Sequence, residues 1–405
     1  MEGEVYPAAD GLEGKVFTGY QGWYRTPTDG SGLGWEHYET YSETFESGQV
    51  GIDYWPDVDE LGEATLYDTP FLHADGSTAK VFSSADPVVA DIHLQWMKTY
   101  GIDGLFLQRF TVDVVGFHHQ SDLLNPSNNL VLENIRSAAN KYQRAFALMY
   151  DLSGMPKGEM QRVMDDWKEL NDELDLLHHP SYLRDQGRPV VAIWGVGFSD
   201  GRKYDLEDVR ELIDFFKHDP DYGGCSIVLG VPTYWRSLDR DTVSDPSFHE
   251  LIKEVDVVLP WYVGRFGGSE RAFELEDELY GPDAAWCKEN GLGYLPVIFP
   301  GFSWANRYAH ENRPFDHIPR EDGLFLWAQA VSAKRGGAEM LYIAMFDEMD
   351  EGTQIFKVTN DPPAGKSRFL TYQPHDADYY LKLAGKIGEL MRESIEPGND
   401  LPQVD

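Results

Sequence analysis

The chain has 405 residues, of which 42% are hydrophobic and 25% charged, so it can form a full globular core. This composition excludes disordered, collagen-like and coiled-coil proteins, and no apolar run approaches the ~20 residues of a membrane-spanning helix. The 69 acidic and 34 basic residues give a net charge of −35, which disfavours nucleic acid and anionic membranes as partners. An acidic, solvated surface explains the excess without any function.

The start of the chain and its cysteines bear on the compartment. Met1–Glu4 is acidic and leads into no apolar stretch, so we read no signal peptide in this chain. We expect a secreted or periplasmic monomer whose signal has been removed, with a cytoplasmic location as the alternative. Cys225 and Cys287 have no metal-binding spacing and predict two buried thiols, with one disulfide as the alternative.

Eight short apolar runs are typical of strands that are covered on both faces in a parallel sheet. They are Lys15–Trp23, Asp103–Phe110, Ala145–Leu152, Pro189–Phe198, Cys225–Pro232, Val255–Gly264, Tyr294–Trp304 and Met340–Asp347. Helical patterns follow them at Asp86–Tyr100, Asn128–Tyr142, Lys157–Leu177, Asp205–Lys217, Pro246–Lys253, Glu270–Asn290, Gly323–Arg335 and Ala377–Ser394. This alternation predicts a single (β/α)8 TIM barrel over residues 1–405, with a two-domain doubly wound protein as the runner-up.

The first βα connection is much longer than the others. The first two strand starts, Lys15 and Asp103, are 88 residues apart, about twice the usual interval in this chain. A loop insertion of about residues 24–85, rich in Gly, Trp, Tyr and Asp, fills that interval. We expect it to cover the C-terminal face of the barrel, where such proteins bind substrate.

Aromatic and polar side chains recur at the predicted C-terminal ends of the strands. Aromatic rings stack on sugar rings, and two carboxylates can act as acid and as base, so the combination is typical of a sugar-cleaving enzyme. Asp151 has turn capping as its alternative role. Arg109, Arg265 and Arg307 are candidates to hold substrate hydroxyls or an anionic group, with neutralisation of nearby acids as the alternative. The candidate substrate-binding residues are Tyr20, Gln21, Trp23, Gln108, Arg109, Asp151, Trp194, Tyr234, Trp261, Tyr262, Arg265, Trp304 and Asp347.

The densest group of acids lies in Phe346–Thr353, directly after the last predicted strand. Crowded carboxylates raise one another's pKa, which suits a general acid. Glu348 and Glu351 are three residues apart, so one turn brings them to the same side of a cleft. We predict that these two are catalytic; a solvated loop or the start of a helix is the alternative.

Motifs for other chemistries are missing from the sequence. It contains no P-loop, no HExxH, no GxSxG and no complete dinucleotide-binding glycine loop, so we expect no cofactor. Asp53, Asp57 and Asp59 allow a calcium site as an alternative, but their spacing is not that of an EF-hand and favours an acidic loop. We therefore expect no metal.

Several motifs together resemble bacterial proteins described as glycoside hydrolase family 71/99-like, related to the family 99 endo-α-mannosidases. The resemblance covers about residues 15–360. Its motifs are Gly19-Tyr20-Gln21-Gly22-Trp23-Tyr24, Asp29-Gly30-Ser31-Gly32, Trp35-x-His37-Tyr38, Asp53-Tyr54-Trp55-Pro56-Asp57, Val81-Phe82-Ser83-Ser84, Tyr100-Gly101-Ile102-Asp103-Gly104, Leu107-Gln108-Arg109-Phe110, Tyr150-Asp151-Leu152-Ser153-Gly154 and Phe346-Asp347-Glu348 to Thr353.

The resemblance implies a (β/α)8 barrel and a retaining glycosidase without a protein nucleophile. Glu348 would take the proton of the substrate 2-hydroxyl, which forms a 1,2-anhydro sugar, and Glu351 would protonate the leaving oxygen. Met349 stands where the family motif Glu-Trp-x-Glu-Gly has tryptophan, and Gly-Tyr-Gln-Gly-Trp stands for its opening Tyr-Tyr-Pro-Trp-Tyr. These departures bear on mannose specificity more than on the carboxylate roles.

The sequence therefore predicts a glycoside hydrolase that acts on an α-linked poly- or oligosaccharide, with mannan-type glycans favoured. A carbohydrate-binding barrel that has lost catalysis is the first alternative. A lyase or isomerase that uses the acids with a divalent metal is the second, and the acid cluster has no histidines in its neighbourhood of the sequence to favour it.

Overall fold

The computed structural model describes residues 5–404, so the acidic opening Met1–Glu4 lies outside it. Its centre is a curled sheet of parallel strands surrounded by helices. In chain order the eight barrel strands are Val16–Tyr20, Gly104–Phe110, Ala145–Asp151, Arg188–Trp194, Ser226–Val231, Val257–Pro260, the divided pair Gly293–Tyr294 and Val297–Ile298, and Leu341–Ile343. Each coincides with one of the eight predicted runs, and the predicted barrel fold is confirmed.

The divided seventh strand closes the barrel. Gly293–Tyr294 pairs with the sixth strand, and Val297–Ile298 pairs with the eighth. Leu295 and Pro296 lie between the two pieces, and the carbonyl of Pro296 accepts a hydrogen bond from Tyr342 N. A proline has no N–H to offer a sheet, so the strand is interrupted at this point while its carbonyls continue the pairing.

The principal helices follow the strands as the sequence pattern predicts, with shifts of a few residues at most ends. Asp205 caps one helix by accepting hydrogen bonds from Glu207 N and Asp208 N. The main exception is the helix predicted from Asn128, which begins at Ser121 and carries Pro126 in its second turn. The helices are Pro87–Thr99, Thr111–Val114, Ser121–Tyr142, Met160–Leu174, Leu206–His218, Ser247–Ile252, Ser269–Leu275, the π-helix Glu276–Tyr280, Gly281–Glu289, Leu324–Arg335 and Tyr379–Met391.

Alternation along each strand decides which side chains face the barrel interior. In the first strand Gly19 faces inward, since a Cβ there would lie 2.2 Å from the Tyr342 hydroxyl. Its neighbour Tyr20 faces outward and hydrogen-bonds His93 on the helix Pro87–Thr99 at 2.8 Å. Successive residues of a strand point to opposite faces, so only every second strand-end residue can reach a substrate.

The insertion after the first strand packs on the loops that follow the seventh and eighth strands. It contains an antiparallel hairpin, Tyr67–Leu72 with Thr78–Val81. The Asp53 carboxylate accepts hydrogen bonds from the backbone N–H groups of Ala305 and Asn306, at 2.9 and 2.8 Å, and from the Ser303 hydroxyl. Asp53 thereby anchors the insertion to the loop after the seventh strand.

Two further properties of residues 5–404 concern the cysteines and the helices. Cys225 and Cys287 are both buried free thiols, as the first of the two interpretations predicted. No helix in this range is long and apolar enough to cross a lipid bilayer.

Candidate active site

The acid loop, Phe346–Gly352, follows the eighth strand and is fixed to the end of the first. Both oxygens of Asp347 accept backbone hydrogen bonds, from Gln21 N and Gly22 N at 2.8 Å each. Asp347 is 1% exposed, and burial raises the pKa of its carboxyl to about 7. Its side chain therefore fixes the start of the acid loop and the position of Gln21.

Asp350 is a second buried acid, and it is held by three side chains. It accepts from the Tyr24 hydroxyl at 3.1 Å, and its other oxygen lies 2.9 Å from His37 Nδ1 and 3.1 Å from Arg307 Nη1. Burial disfavours its charge, but Arg307 and His37 outweigh that effect and lower its pKa. Asp350 is thus a fixed negative charge between the two glutamates.

Glu348 is 5% exposed and accepts a hydrogen bond on each carboxylate oxygen. Gln21 Nε2 donates at 3.0 Å and the Thr353 hydroxyl at 2.8 Å. Burial, Glu351 and Asp350 raise the pKa of Glu348 well above its ordinary value. The two donors oppose this by favouring the ionised carboxylate.

Glu351 is half-buried, and its carboxylate accepts no hydrogen bond from residues 5–404. Burial and the charge of Asp350 raise the pKa of its carboxyl to about 7. Because burial and mutual repulsion disfavour two charges, the two glutamates share one proton near neutral pH. Burial and Asp350 thus favour the protonated form of Glu351.

The first of two cavities beside the acid loop, here called the Trp23 cavity, has a volume of about 210 Å³. The Trp23 ring stacks on His37 with centroids 3.6 Å apart. Among residues 5–404, neither Trp23 Nε1 nor Gln21 Oε1 has a hydrogen-bond partner, although both atoms are buried. The residues around it include Gln21, Trp23, Glu36, His37, Gln108, Phe110, Asp113 and His118.

The second, here called the Trp304 cavity, has a volume of about 400 Å³ and contains Glu351 in its wall. Trp261 and Trp304 supply its aromatic surface, and Trp261 lies edge-to-face with Trp194 at 5.3 Å. Tyr342 lies between the two cavities: it accepts from Gln108 Nε2 at 3.0 Å, and its ring is 6.4 Å from that of Trp261. Other residues of its wall are Arg265, Phe302, Arg313, Pro314 and His317.

Cavity size alone does not locate this site. A larger cavity of about 660 Å³ lies at the opposite end of the barrel, beside the first residues of the sixth and seventh strands, Val257 and Gly293. The acid loop is at the C-terminal ends of the strands, where barrels of this kind carry their active sites.

The structure brings seven of the predicted residues to the walls of the two cavities. Gln21, Trp23 and Gln108 lie in the Trp23 cavity, and Trp261, Arg265, Trp304 and Glu351 in the Trp304 cavity. Glu348 and Asp347 contact the first group through Gln21. The Gln21 side chain donates a hydrogen bond to Glu348, and its backbone N–H donates one to Asp347.

Three predicted substrate-binding residues lie elsewhere, and these expectations are corrected. Tyr20 is buried against His93. Arg109, 3% exposed, forms a two-point ion pair with Asp166 on the helix Met160–Leu174. Tyr262 is fully buried and hydrogen-bonds Asp283 at 3.0 Å. Each is the outward neighbour of an inward strand-end residue, so strand alternation removes it from the cleft.

Three more candidates lie at strand ends but beside the two cavities. The Asp151 carboxylate accepts from Ser153 N at 2.7 Å, its alternative turn-capping role, and burial raises its pKa to about 6. Trp194 contacts Trp261 and extends that aromatic wall. Tyr234 is covered by the Arg240 guanidinium, 4.1 Å from the ring.

Sequence reasoning missed several side chains that hold the acids. Tyr24, His37 and Thr353 lie in the family motifs, but the sequence alone indicates no role for them, and Arg307 is one of three arginines with the same two interpretations. The hydrogen bonds from Tyr24 and His37 to Asp350 cross more than 300 residues of sequence. Local patterns carry no signal for such contacts.

No group of three or more His, Cys, Asp or Glu side chains within residues 5–404 is arranged to hold a metal ion. The acid loop shows why in chemical terms. The carboxylate oxygens of Asp347 and Asp350 accept hydrogen bonds from protein N–H and O–H groups, and Asp350 also pairs with Arg307. Carboxylate oxygens that already accept these hydrogen bonds are not available as ligands, whereas a metal ion needs free oxygens.

Comparisons with solved structures establish the fold. The chain superposes on an endo-α-mannosidase of glycoside hydrolase family 99 from Bacteroides thetaiotaomicron with a TM-score of 0.65, at 16% identity, covering 95% of this chain and 99% of that one. The fold is that of the family 99 endo-α-mannosidases. A protein described as glycoside hydrolase-like matches with a TM-score of 0.53 at 14% identity, over 83% of this chain and 94% of that one.

A curated relative gives a sequence match as well. A glycoprotein endo-α-1,2-mannosidase-like protein from Danio rerio is 27% identical over 163 residues, which are 37% of this chain and 35% of that protein. The match thus spans about a third of the relative's length. No family model matches the chain. The resemblance that the motifs indicated is confirmed by these relatives.

Proposed function

We propose that this protein is a glycoside hydrolase that cleaves α-linked poly- or oligosaccharides, with Glu348 and Glu351 as its catalytic pair. One observation carries the proposal. Two glutamates, three residues apart after the eighth strand, have opposite surroundings. Glu348 accepts two hydrogen bonds, whereas Glu351 accepts none from residues 5–404 and lines an aromatic cavity. Two carboxyl groups whose environments separate their protonation are the usual acid and base of a glycosidase.

In the proposed reaction Glu348 is the base. It removes the proton of the sugar 2-hydroxyl, and that oxygen attacks the anomeric carbon while the bond to the leaving oxygen breaks. Glu351 gives its proton to the leaving oxygen, which yields a 1,2-anhydro sugar and a free leaving group. Glu351, now ionised, takes a proton from water, the water oxygen opens the anhydro ring at the anomeric carbon, and Glu348 returns its proton to the 2-oxygen. Two inversions at the anomeric carbon give net retention.

The polar atoms of the Trp23 cavity fit a sugar ring on the Glu348 side. Gln21 Oε1 is an unpartnered acceptor and Trp23 Nε1 an unpartnered donor among residues 5–404; both are buried, so a sugar hydroxyl reaches them only when these side chains shift. The names of the relatives favour a mannan-type glycan, because one is described as an endo-α-mannosidase and the other as an endo-α-1,2-mannosidase-like protein. Met349, where the family motif has tryptophan, is fully buried and lies in the wall of neither cavity.

The test is a digestion of purified α-mannans, arabinans, xylans and α-glucans, with products resolved by chromatography. Wild type, Glu348→Gln, Glu351→Gln and the exposed control Glu274→Gln are compared. We expect cleavage of one α-linked glycan by wild type and the control, and loss in both site variants. Full activity in either site variant would refute the catalytic pair.

The same panel separates the carbohydrate-binding alternative. If wild type cleaves nothing, calorimetric titration with each glycan follows. Binding without any product would replace the proposed hydrolase with a non-catalytic carbohydrate-binding barrel.

A further inference from the structure

The Trp304 cavity collects positive charge in a chain that is otherwise strongly negative. Arg265 and Arg313 lie in its wall, and Glu351 is the one acidic residue there among residues 5–404. The whole chain has 69 acidic residues against 34 basic ones. A cavity with the opposite balance is therefore a local feature that the overall composition does not explain.

The Arg313 guanidinium lies over the aromatic surface of this cavity. Its Nε and Nη2 both contact Glu311, at 2.8 and 2.7 Å, and its guanidinium lies 4.3 Å above the Trp304 ring. Glu311 is not part of the cavity wall. The ion pair thus fixes the plane of the guanidinium, and Nη1 has no protein partner in residues 5–404.

Arg265 is held in a similar way from outside the cavity. Its Nε lies 3.4 Å from the Asp241 carboxylate, which is also outside the wall, and the side chain is 41% exposed. Its two terminal nitrogens make no hydrogen bond to residues 5–404. Two guanidinium groups therefore offer free N–H donors to one space of about 400 Å³. Guanidinium N–H groups match the oxygens of carboxylate, sulfate and phosphate.

The Trp23 cavity shows the opposite arrangement. Its wall contains the acids Glu36 and Asp113, and burial and Glu36 raise the pKa of Asp113 to about 7. Its one arginine, Arg25, is 1% exposed and donates to Ser127 and to the carbonyls of Gly22 and Tyr24. An anionic sugar would meet no free guanidinium there.

We propose that the sugar on the leaving-group side carries an anionic substituent, a uronic carboxylate or a sulfate or phosphate ester, bound by Arg265 and Arg313 in the Trp304 cavity. The placement on the leaving-group side rests on the proposed function, because Glu351 in this wall protonates the leaving oxygen. Trp304 and Trp261 provide ring contacts beside the two cations. The substrate class is then an α-linked glycan with acidic groups.

Ligand-observed NMR titration of the wild-type protein tests this without any cleavage. The probes are methyl α-D-mannoside, methyl α-D-mannuronate sodium salt, mannose 6-sulfate and mannose 6-phosphate. We expect at least one anionic probe to bind about tenfold more tightly than the neutral one, and this preference to weaken as salt is added. The probe that binds identifies which anion the cavity accepts.

The variants Arg265→Gln and Arg313→Gln are expected to lose about tenfold in affinity for that anion and little for the neutral sugar. Arg271→Gln is the control, since Arg271 pairs with Glu278 on the surface away from the cavity. Equal binding of neutral and anionic probes, binding of no anion, or an equal loss in the control would overturn the proposal. Anion binding in a protein that cleaves no glycan would refute the hydrolase and leave the anion site standing.

Discussion

The two cavities beside the acid loop differ in size, in charge and in the hydrogen bonds that their walls make to the nearby glutamate. The Trp23 cavity, about 210 Å³, has acidic walls and reaches Glu348 through a hydrogen bond from Gln21. The Trp304 cavity, about 400 Å³, has basic walls and contains Glu351 without a donor. The two glutamates of one loop therefore have different surroundings. The hydrogen-bond donors and charges around a carboxyl group set its pKa, so the two can differ in protonation.

Asp350 lies between the two glutamates and contributes to both. Its charge is maintained by Arg307 and His37, and it raises the pKa of Glu348 and of Glu351. The acid loop therefore has a buried, charged aspartate next to the two glutamates that we propose as acid and base. The predictions below separate these roles.

The largest expected effect distinguishes the two glutamates by leaving group. Glu348→Gln and Glu351→Gln are each expected to lower kcat/KM on the natural glycan by about 10² to 10⁴. With an α-glycosyl fluoride or dinitrophenyl glycoside, which needs no acid, Glu351→Gln should recover much of its first-step rate and Glu348→Gln should not. The measurement is kcat/KM on the natural glycan and the first-step rate on the activated glycoside, for wild type and both variants. Equal recovery in both variants would contradict the assigned roles.

The next effect concerns a charge outside both cavities. Arg109→Met leaves Asp166 buried without its ion-pair partner and should reduce the free energy of unfolding by about 3–5 kcal/mol. Urea denaturation measures it, with the surface variant Arg271→Met as a control expected to change little. We expect the KM of folded Arg109→Met to equal that of wild type. A raised KM without loss of stability would indicate that Arg109 binds the substrate.

Asp350→Asn removes the fixed anion between the glutamates. The pKa of Glu351, about 7 with Asp350 charged, should fall, since a negative neighbour favours the protonated form. Glu351 must be protonated to act as the acid, so the rate falls as pH rises through its pKa. The basic limb of the kcat/KM profile should therefore move to lower pH, with a loss of about tenfold at pH 7.

The exposed Asp245, which accepts from Ser247 N at the start of a helix, provides the matched control. Asp245→Asn should leave the pH profile unchanged. A basic limb that stays in place in Asp350→Asn would show that Asp350 has no electrostatic effect on Glu351.

The smallest effect concerns Tyr20, which contacts neither cavity. Tyr20→Phe deletes the hydroxyl that hydrogen-bonds buried His93, whose pKa burial lowers to about 3. The imidazole is neutral and loses one partner, so stability should fall by about 1–2 kcal/mol with kcat and KM unchanged. Thermal unfolding and kinetics on one preparation measure both. A changed KM would indicate that Tyr20 does reach the substrate.

The sequence predicted the barrel and the acid loop because both have local signals. Buried parallel strands read as continuous apolar runs, and four acids within five positions are visible without a structure. The sequence could not show which residue of each neighbouring pair faces the cleft. The pairs are Tyr20 and Gln21, Gln108 and Arg109, and Trp261 and Tyr262. In a strand covered on both faces the pattern does not alternate, so inward and outward neighbours look alike.

The partners of Asp350 were beyond sequence reasoning for a different reason. Tyr24 and His37 belong to the long insertion, and Arg307 to the loop after the seventh strand. Their position against the acid loop depends on how two irregular segments pack, which periodicity does not describe.

The central claim is that Glu348 and Glu351 together cleave an α-glycosidic bond with retention at the anomeric carbon. Proton NMR of the anomeric region during the first minutes of digestion tests it most directly, with wild type and both Gln variants on the glycan found in the panel. The account predicts that wild type releases the α-anomer first, and that neither variant releases product at a comparable rate. Initial release of the β-anomer, or wild-type release by either variant, would contradict it.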